Sequence, residues 1–219
     1  MNAMVQGFAD AAALGGPVVL LLIVISVVTL AVVLYKIWQF WQSGVGRHAA
    51  LRRAVAAWDE GDAARARGEL ETSRSYLAPV IAMAFDAPDD RAVDARLEAE
   101  AETRFERLER GLRFLDAVAQ LAPLLGLFGT VLGMIEAFQS LQEAGSQVDP
   151  SILAGGIWVA LLTTAAGLAV AMPTALILTW FEGRMGSERV IAERAVSTVR
   201  APFGRHSPSF AGDASSVHA

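Results

Sequence analysis

The chain of 219 residues contains no cysteine. It can therefore form neither disulfides nor thiolate metal sites, and it has no thiol nucleophile. Its three histidines, His48, His206 and His218, are scattered along the sequence, so we expect no metal site. No nucleotide-binding loop or nucleophile motif is present. We therefore predict that the chain is not an enzyme, and we expect it to need no cofactor and to bind no nucleic acid.

Charge is scarce in three long stretches of the sequence. Hydrophobic residues make up 54% of the chain, against roughly 45–50% in a typical soluble domain. Apolar runs of this length predict an all-α membrane protein with transmembrane helices at 17–37, 117–141 and 152–181. A cleaved signal peptide is the rival interpretation of the first run. The absence of Lys and Arg before this run, and its length, argue against a signal peptide.

Lys and Arg predict the orientation of the chain. All 18 of them lie within 36–113 or 184–205. Because positively charged segments stay in the cytoplasm, both of these stretches are expected there. The predicted order is a periplasmic N-terminus (1–16), a cytoplasmic helical domain (38–116), a periplasmic loop (142–151), a cytoplasmic helix (182–203) and a disordered tail (204–219).

The predicted cytoplasmic domain is helical. The pattern predicts a short helix over 48–58, a second helix capped by Asp62 and running through Glu71, and a third over 77–85. One long helix is then expected from Arg91 to Leu141. This helix has an apolar stripe that consists of Val93, Leu97, Ala101, Phe105, Leu108, Leu112 and Leu115. The stripe packs either on neighbouring subunits or on this chain's own short helices.

Small residues recur at helical spacing in the second and third spans, where they predict close helix packing. The packing residues are Ala122, Gly126, Gly129 and Gly133 in one span and Gly156, Ala160, Gly167 and Ala171 in the other. Thr130 and Thr164 lie among them, and each hydroxyl either bonds back to its own helix or serves a polar path. Glu136 marks either an ion path or the membrane interface. The first span is bulky throughout, which favours a lipid-facing position.

Two segments resemble a known family. Ala122–Ala137 (APLLGLFGTVLGMIEA) and Gly155–Ala175 (GGIWVALLTTAAGLAVAMPTA) closely resemble the membrane signature of the ExbB/TolQ/MotA proton-channel family, in particular its ExbB and TolQ branches. The region 60–88 and the predicted topology are also similar, so the resemblance covers most of the chain.

The resemblance implies a function as well as a fold. Members of this kind form pentameric helical bundles in the bacterial inner membrane, in contact with lipid. The bundle surrounds a small ExbD/TolR-like subunit whose aspartate enters the pore, and a TonB/TolA-like transducer carries the work onward. The implied role is to couple the proton motive force to TonB-dependent uptake across the outer membrane (ExbB-like) or to Tol-Pal envelope maintenance (TolQ-like). Thr130 and Thr164 match the family's pore-lining threonines.

One residue departs from the family pattern. Many relatives have a glutamate at the pore-lining position that Val159 occupies in this sequence. Valine can neither carry a proton nor form an ion pair. Three interpretations follow: the partner's aspartate suffices, Glu136 takes over part of the role, or the chain conducts poorly. A non-conducting membrane scaffold of the same fold is therefore the alternative function.

Overall fold

The computed structural model describes residues 2–88, 90–143 and 150–203. These described residues form helices and no strand, which confirms the predicted all-α class. The helices are α1 (Asn2–Gln42), α2 (Ala49–Asp59), α3 (Ala63–Glu71), α4 (Ala78–Asp86), α5 (Arg91–Glu109), α6 (Leu112–Glu143) and α7 (Pro150–Arg200). The predicted disordered tail lies outside the described residues, and so does most of the predicted periplasmic loop.

Three helices are long and apolar enough to cross a membrane. They are Gly16–Gln42, Leu112–Glu143 and Leu153–Arg200. The shortest has 27 residues, which at about 1.5 Å per residue exceeds the roughly 30 Å of a bilayer core. The described residues thus contain three candidate membrane spans, as the sequence predicted. In α1, the apolar part is separated from an N-terminal helical segment by Gly16, whose φ is 65° and ψ −167°.

The predicted single helix from Arg91 to Leu141 is wrong. α5 ends at Glu109 and α6 begins at Leu112. Between them Gly111 has a φ of 97°, in the region that favours glycine because it has no Cβ. The apolar stripe continues through this break at helical spacing, and a glycine weakens a helix by only about 1 kcal/mol. The apolar pattern of the sequence therefore did not indicate the break between α5 and α6.

The chain divides into two compact units. The membrane unit comprises the described residues up to Trp38 and those within Glu109–Arg184, and the bundle unit comprises the described residues within Gln39–Leu108 and from Met185 to position 203. α7 contributes to both units without interruption. The membrane unit has an apolar core drawn from α1, α6 and α7, which consists of Val18, Leu22, Val118, Ala122 and Ala171.

The bundle unit buries the apolar stripe of α5. Leu97, Ala101, Phe105 and Leu108 are at most 7% exposed, and further along the stripe Leu112 and Leu115 are buried in the membrane unit. The stripe therefore packs on this chain's own helices, which decides between the two interpretations that the sequence left open.

Local contacts fix the ends of the short helices in the bundle unit. The predicted N-cap of α3 is confirmed, since an Asp62 carboxylate oxygen accepts a hydrogen bond of 2.9 Å from the Arg65 N–H. The ring of Trp58 stacks on that of Phe85 with 4.2 Å between centroids. The Trp58 indole N–H donates to the Val199 carbonyl at 3.1 Å, which ties α2 to the last turn of α7.

Candidate functional site

Small residues form the contact between α6 and α7. Along α6 the contact passes through Ala122, Gly126, Gly129, Gly133 and Ala137, and along α7 it passes in the opposite direction through Gly167, Thr163, Ala160 and Gly156. All six residues that the sequence singled out for helix packing lie in this contact: Gly126, Gly129, Gly133, Gly156, Ala160 and Gly167. The two helices thus meet as an antiparallel pair.

Backbone touches backbone along this contact. A Cβ added to Gly126 would lie 2.9 Å from the Thr163 carbonyl oxygen and 3.1 Å from the Thr164 Cα. A Cβ added to Gly129 would lie 2.7 Å from the Thr163 Cβ. Such approach is typical of membrane helices whose interfaces consist of small residues. The contact therefore fixes how α6 and α7 lie against each other with little room for larger side chains.

Thr163 is a buried polar residue of this contact that the sequence interpretation missed. It is 2% exposed, and its Oγ1 lies 2.7 Å from the Ala160 carbonyl oxygen and 3.1 Å from that of Gly126. The second contact crosses from α7 to α6. Both Thr163 and Thr164 fit a helical spacing of three or four between Ala160 and Gly167, so periodicity alone could not tell which threonine is buried.

Thr130 and Thr164 flank the contact and are half-buried. Thr130 lies one turn beyond Gly126 on α6, and Gly126 itself faces the Thr164 backbone. The Thr130 hydroxyl donates to the Leu127 carbonyl at 2.6 Å. Of the two interpretations of this hydroxyl, bonding back to its own helix is the one observed within a single chain. The hydroxyl keeps an acceptor lone pair for a further group.

Val159 and Glu136 lie beside the other end of the contact. Val159 is half-buried and precedes Ala160, which faces Gly133. Glu136 is exposed on α6 and precedes Ala137, which faces Gly156. Neither residue belongs to the contact itself. Glu136 is exposed in the single chain, whereas Val159 is partly covered by other residues of the chain.

Large apolar side chains remain exposed on all three spans of the isolated chain. On α1, which the sequence assigns to lipid, Leu30 is 59% exposed, but Leu22 is buried in the membrane core. Exposure is as high on α6 and α7, where Phe128 reaches 55% and Leu176 reaches 74%. Exposed apolar surface of this extent is covered by lipid or by other protein in a membrane.

The described residues give no sign of a metal centre. Among them, no group of three or more His, Asp or Glu side chains lies close enough together to hold an ion. The chemistry that the α6–α7 site can offer is that of threonine hydroxyls and backbone carbonyls in an apolar setting.

The chain is similar to several known proteins. A family profile described as the MotA/TolQ/ExbB proton channel family matches residues 66–194. An ExbB-like biopolymer transport protein of Synechocystis sp. is 33% identical over 171 residues, which cover 74% of this chain and 66% of that protein.

Two further relatives match shorter segments. Biopolymer transport protein exbB1 of Vibrio cholerae is 49% identical over 63 residues, covering 29% of this chain and 28% of that protein. Tol-Pal system protein TolQ of Haemophilus influenzae is 44% identical over 71 residues, covering 32% and 31%. The chain thus spans less than two thirds of the length of each of these relatives. The profile covers more than half of the chain, including the α6–α7 contact, and the chain therefore belongs to the MotA/TolQ/ExbB proton channel family.

Proposed function

We propose that this chain is a proton-channel (motor) subunit of the bacterial inner membrane. It assembles as a homo-pentamer around a small ExbD/TolR-like subunit and passes mechanical work to a TonB/TolA-like transducer. Its N-terminus is periplasmic and its C-terminus cytoplasmic, as the distribution of Lys and Arg favours. The family to which the chain belongs supports this proposal.

The observation that carries the proposal is the position of Thr130 and Thr164 beside the α6–α7 contact. Both are half-buried polar residues on spans whose exposed side chains are largely apolar. A carboxylate that enters a membrane needs polar partners, because a charge in hydrocarbon is costly. Two threonine hydroxyls next to tightly packed backbone can supply such partners for the aspartate of the smaller subunit, once the Thr130 hydroxyl turns its proton from the Leu127 carbonyl to the carboxylate. Protonation of that aspartate would then release it from the threonines.

The experiment is proton flux through the reconstituted complex. The chain and its small partner are placed in liposomes, and flux is recorded under an imposed potential. Changing the partner's aspartate to asparagine is the control. Flux that depends on the aspartate supports the channel, and absence of flux from a fully assembled complex contradicts it.

A non-conducting scaffold is the second candidate, and Val159 favours it. The residue lies half-buried beside the contact, and a valine there cannot relay a proton. A scaffold would bind the small partner and form a normal oligomer but carry no ions. The variant Val159→Glu separates the two candidates. If Val159→Glu conducts protons and the unchanged chain does not, the unchanged chain is a scaffold. If the unchanged chain already conducts, a glutamate at position 159 is not required for conduction.

The process that this subunit powers is either TonB-dependent uptake or Tol-Pal envelope maintenance. A biopolymer transport protein exbB1 and a Tol-Pal system protein TolQ both match this chain. We propose that the partner subunit, and not the pore of this chain, determines which of the two processes is powered. Co-purification of the chain with an ExbD-like or with a TolR-like subunit, each expressed with it in turn, distinguishes the two.

A further inference from the structure

An open groove lies between α3 and α4 in the bundle unit. Its volume is about 330 Å³, which is in the range of small binding sites. Much of its wall is apolar and consists of Leu70 from α3 and Pro79, Ala82 and Phe85 from α4. Pro79 and Ala82 are exposed, so the groove is accessible from outside the bundle unit. The proposed channel mechanism uses none of these residues.

Three charged residues also line this α3–α4 groove. Arg67 Nη2 donates to Asp86 Oδ1 at 2.7 Å, so these two charges form a pair across the groove. Glu71 is the third, and it is exposed. Within the described part of the chain, no Lys or Arg lies within ion-pair distance of the Glu71 carboxylate. The groove therefore has one carboxylate in excess, and it suits an occupant with an apolar side chain and a basic side chain.

The last turn of α7 lies beside this groove. The Val199 carbonyl accepts a hydrogen bond from the Trp58 indole N–H at 3.1 Å, and the Trp58 ring stacks on the ring of Phe85. Arg200 Nη1 donates to the Ala87 carbonyl at 3.4 Å. Phe85 belongs to the groove and Ala87 directly follows α4. These contacts place the end of α7 at the C-terminal end of α4.

The chain leaves the described structure from an anchored position close to the groove. The Phe203 N–H donates to Asp59 Oδ1 at 2.7 Å, and the Phe203 side chain is 88% exposed. Asp59 follows Trp58, which stacks on Phe85. Positions 204–219 come next in the sequence, and a segment of this length spans up to roughly 50 Å when extended. The groove is therefore within reach of this C-terminal segment.

The C-terminal segment has the two side chains that the groove suits. Phe210 is its one Phe, Tyr or Trp, and positions 204–210 contain Arg205 but no acidic residue. The sequence predicts that the segment is disordered on its own. Attachment to the chain nevertheless raises its effective concentration at the groove to the order of millimolar, so a weak contact is enough to keep the groove occupied.

We propose that the C-terminal segment of the chain binds in its own α3–α4 groove, with the Phe210 ring on the apolar wall and Arg205 paired with Glu71. The bound segment connects the end of α7 to both α3 and α4. Other occupants of the groove are the same segment of a neighbouring copy and a separate protein. This binding goes beyond the proposed channel function and does not depend on it.

Disulfide trapping in the full-length chain in membranes tests the contact. Because the chain has no cysteine, Ala82→Cys/Ala211→Cys introduces one thiol in the groove and one beside Phe210. Ala56→Cys/Ala211→Cys is the matched control, since Ala56 is an exposed alanine of α2 that lies one turn from Asp59 and outside the groove. We expect the groove pair to form an intrachain disulfide about tenfold faster than the control pair. Equal rates overturn the proposal.

Two further results of the trapping experiment decide which occupant is present. Adding Phe210→Ser to the groove pair should lower its rate to that of the control, and an unchanged rate overturns the proposal. A disulfide that joins two copies, seen as a dimer on a non-reducing gel, also overturns it and assigns the groove to the segment of a neighbouring copy. All of the changed residues are exposed or lie in the C-terminal segment, so the variants test contact rather than folding.

The pairing of Arg205 with Glu71 has its own test. Glu71→Gln should slow trapping of the groove pair about threefold at low salt, as expected for an exposed ion pair. Arg205→Gln should have the same effect, and the two changes together should slow trapping no further. Glu98→Gln, at an exposed position of α5, should leave the rate unchanged. Additive effects of Glu71→Gln and Arg205→Gln overturn the pairing. None of these rates measures ion flux, so failure here is distinct from failure of the proposed function.

Discussion

Gly167 of α7 lies directly against the backbone carbonyl of Ala122 on α6. A Cβ added to Gly167 would lie 2.5 Å from that oxygen and 3.1 Å from the Gly126 Cα. Neither atom belongs to a flexible side chain, so nothing could move aside without moving a helix. This pair sets the minimum distance between the two spans at one end of their contact, and with it the place of the threonines beside them.

Gly167→Ala should therefore destabilise the membrane unit. Alanine favours a helix over glycine by up to about 1 kcal/mol, but overpacking costs about 1–3 kcal/mol. We expect a net loss of about 1–2 kcal/mol, measured by unfolding in detergent. Gly155→Ala is the matched control, since nothing lies within 4 Å of its Cβ position, and it should be neutral or stabilising. Equal stability of the two variants would contradict the close contact.

Much of this contact was visible in the sequence. Rows of small residues at a spacing of three and four predicted which faces of α6 and α7 meet, and length and composition predicted the three spans. Thr163 was missed because Thr163 and Thr164 both fit that spacing, and which one is buried depends on the rotation of α7 against its neighbour. Rotation is a tertiary property that a periodic pattern defines only to within one residue.

The parts that the sequence did not predict depend on long-range contacts. The break at Gly111 requires a positive φ, and the apolar stripe on either side of it reads as a single helix. In the sequence His48 is one of three scattered histidines, but in the structure it contacts Glu188, 140 positions away. No local sequence pattern predicts a contact between two residues so far apart in the sequence. By contrast, the cap of α3 at Asp62 depends on three neighbouring residues and was predicted correctly.

Gly111→Ala tests the break between α5 and α6. A residue with a Cβ in the left-handed region costs about 1–2 kcal/mol, and here the new Cβ would also lie 3.3 Å from the Lys36 Cε. We expect a loss of stability of at least about 1 kcal/mol in denaturant unfolding. Gly68→Ala, within α3 and with open space at its Cβ, should not lose stability. A stable Gly111→Ala would mean that the two helices can join into one.

Trp58→Phe tests the attachment of α7 to α2. Phenylalanine can still stack on Phe85, but it cannot donate to the Val199 carbonyl, which lies 3.1 Å from the indole nitrogen. Loss of this buried hydrogen bond should lower stability by about 1–2 kcal/mol. Trp41→Phe, at a side chain that is 68% exposed, should change stability by less than about 0.5 kcal/mol. If both variants were equally stable, the Trp58 hydrogen bond would contribute nothing.

Two neighbouring threonines should separate conduction from packing. Thr164→Val removes a half-buried hydroxyl beside the contact, and we expect it to abolish proton flux in liposomes while the complex still assembles. Thr163→Val removes the hydroxyl that lies 3.1 Å from the Gly126 carbonyl; it should lower stability by about 1 kcal/mol but preserve flux per assembled complex. Thr179→Val, whose hydroxyl bonds back to Ala175, should change neither property. Full flux from Thr164→Val would show that its hydroxyl is not part of the polar path. Loss of flux from Thr163→Val without loss of assembly would place the path on the side of α7 that carries Thr163. The two side chains lie about 100° apart around the helix.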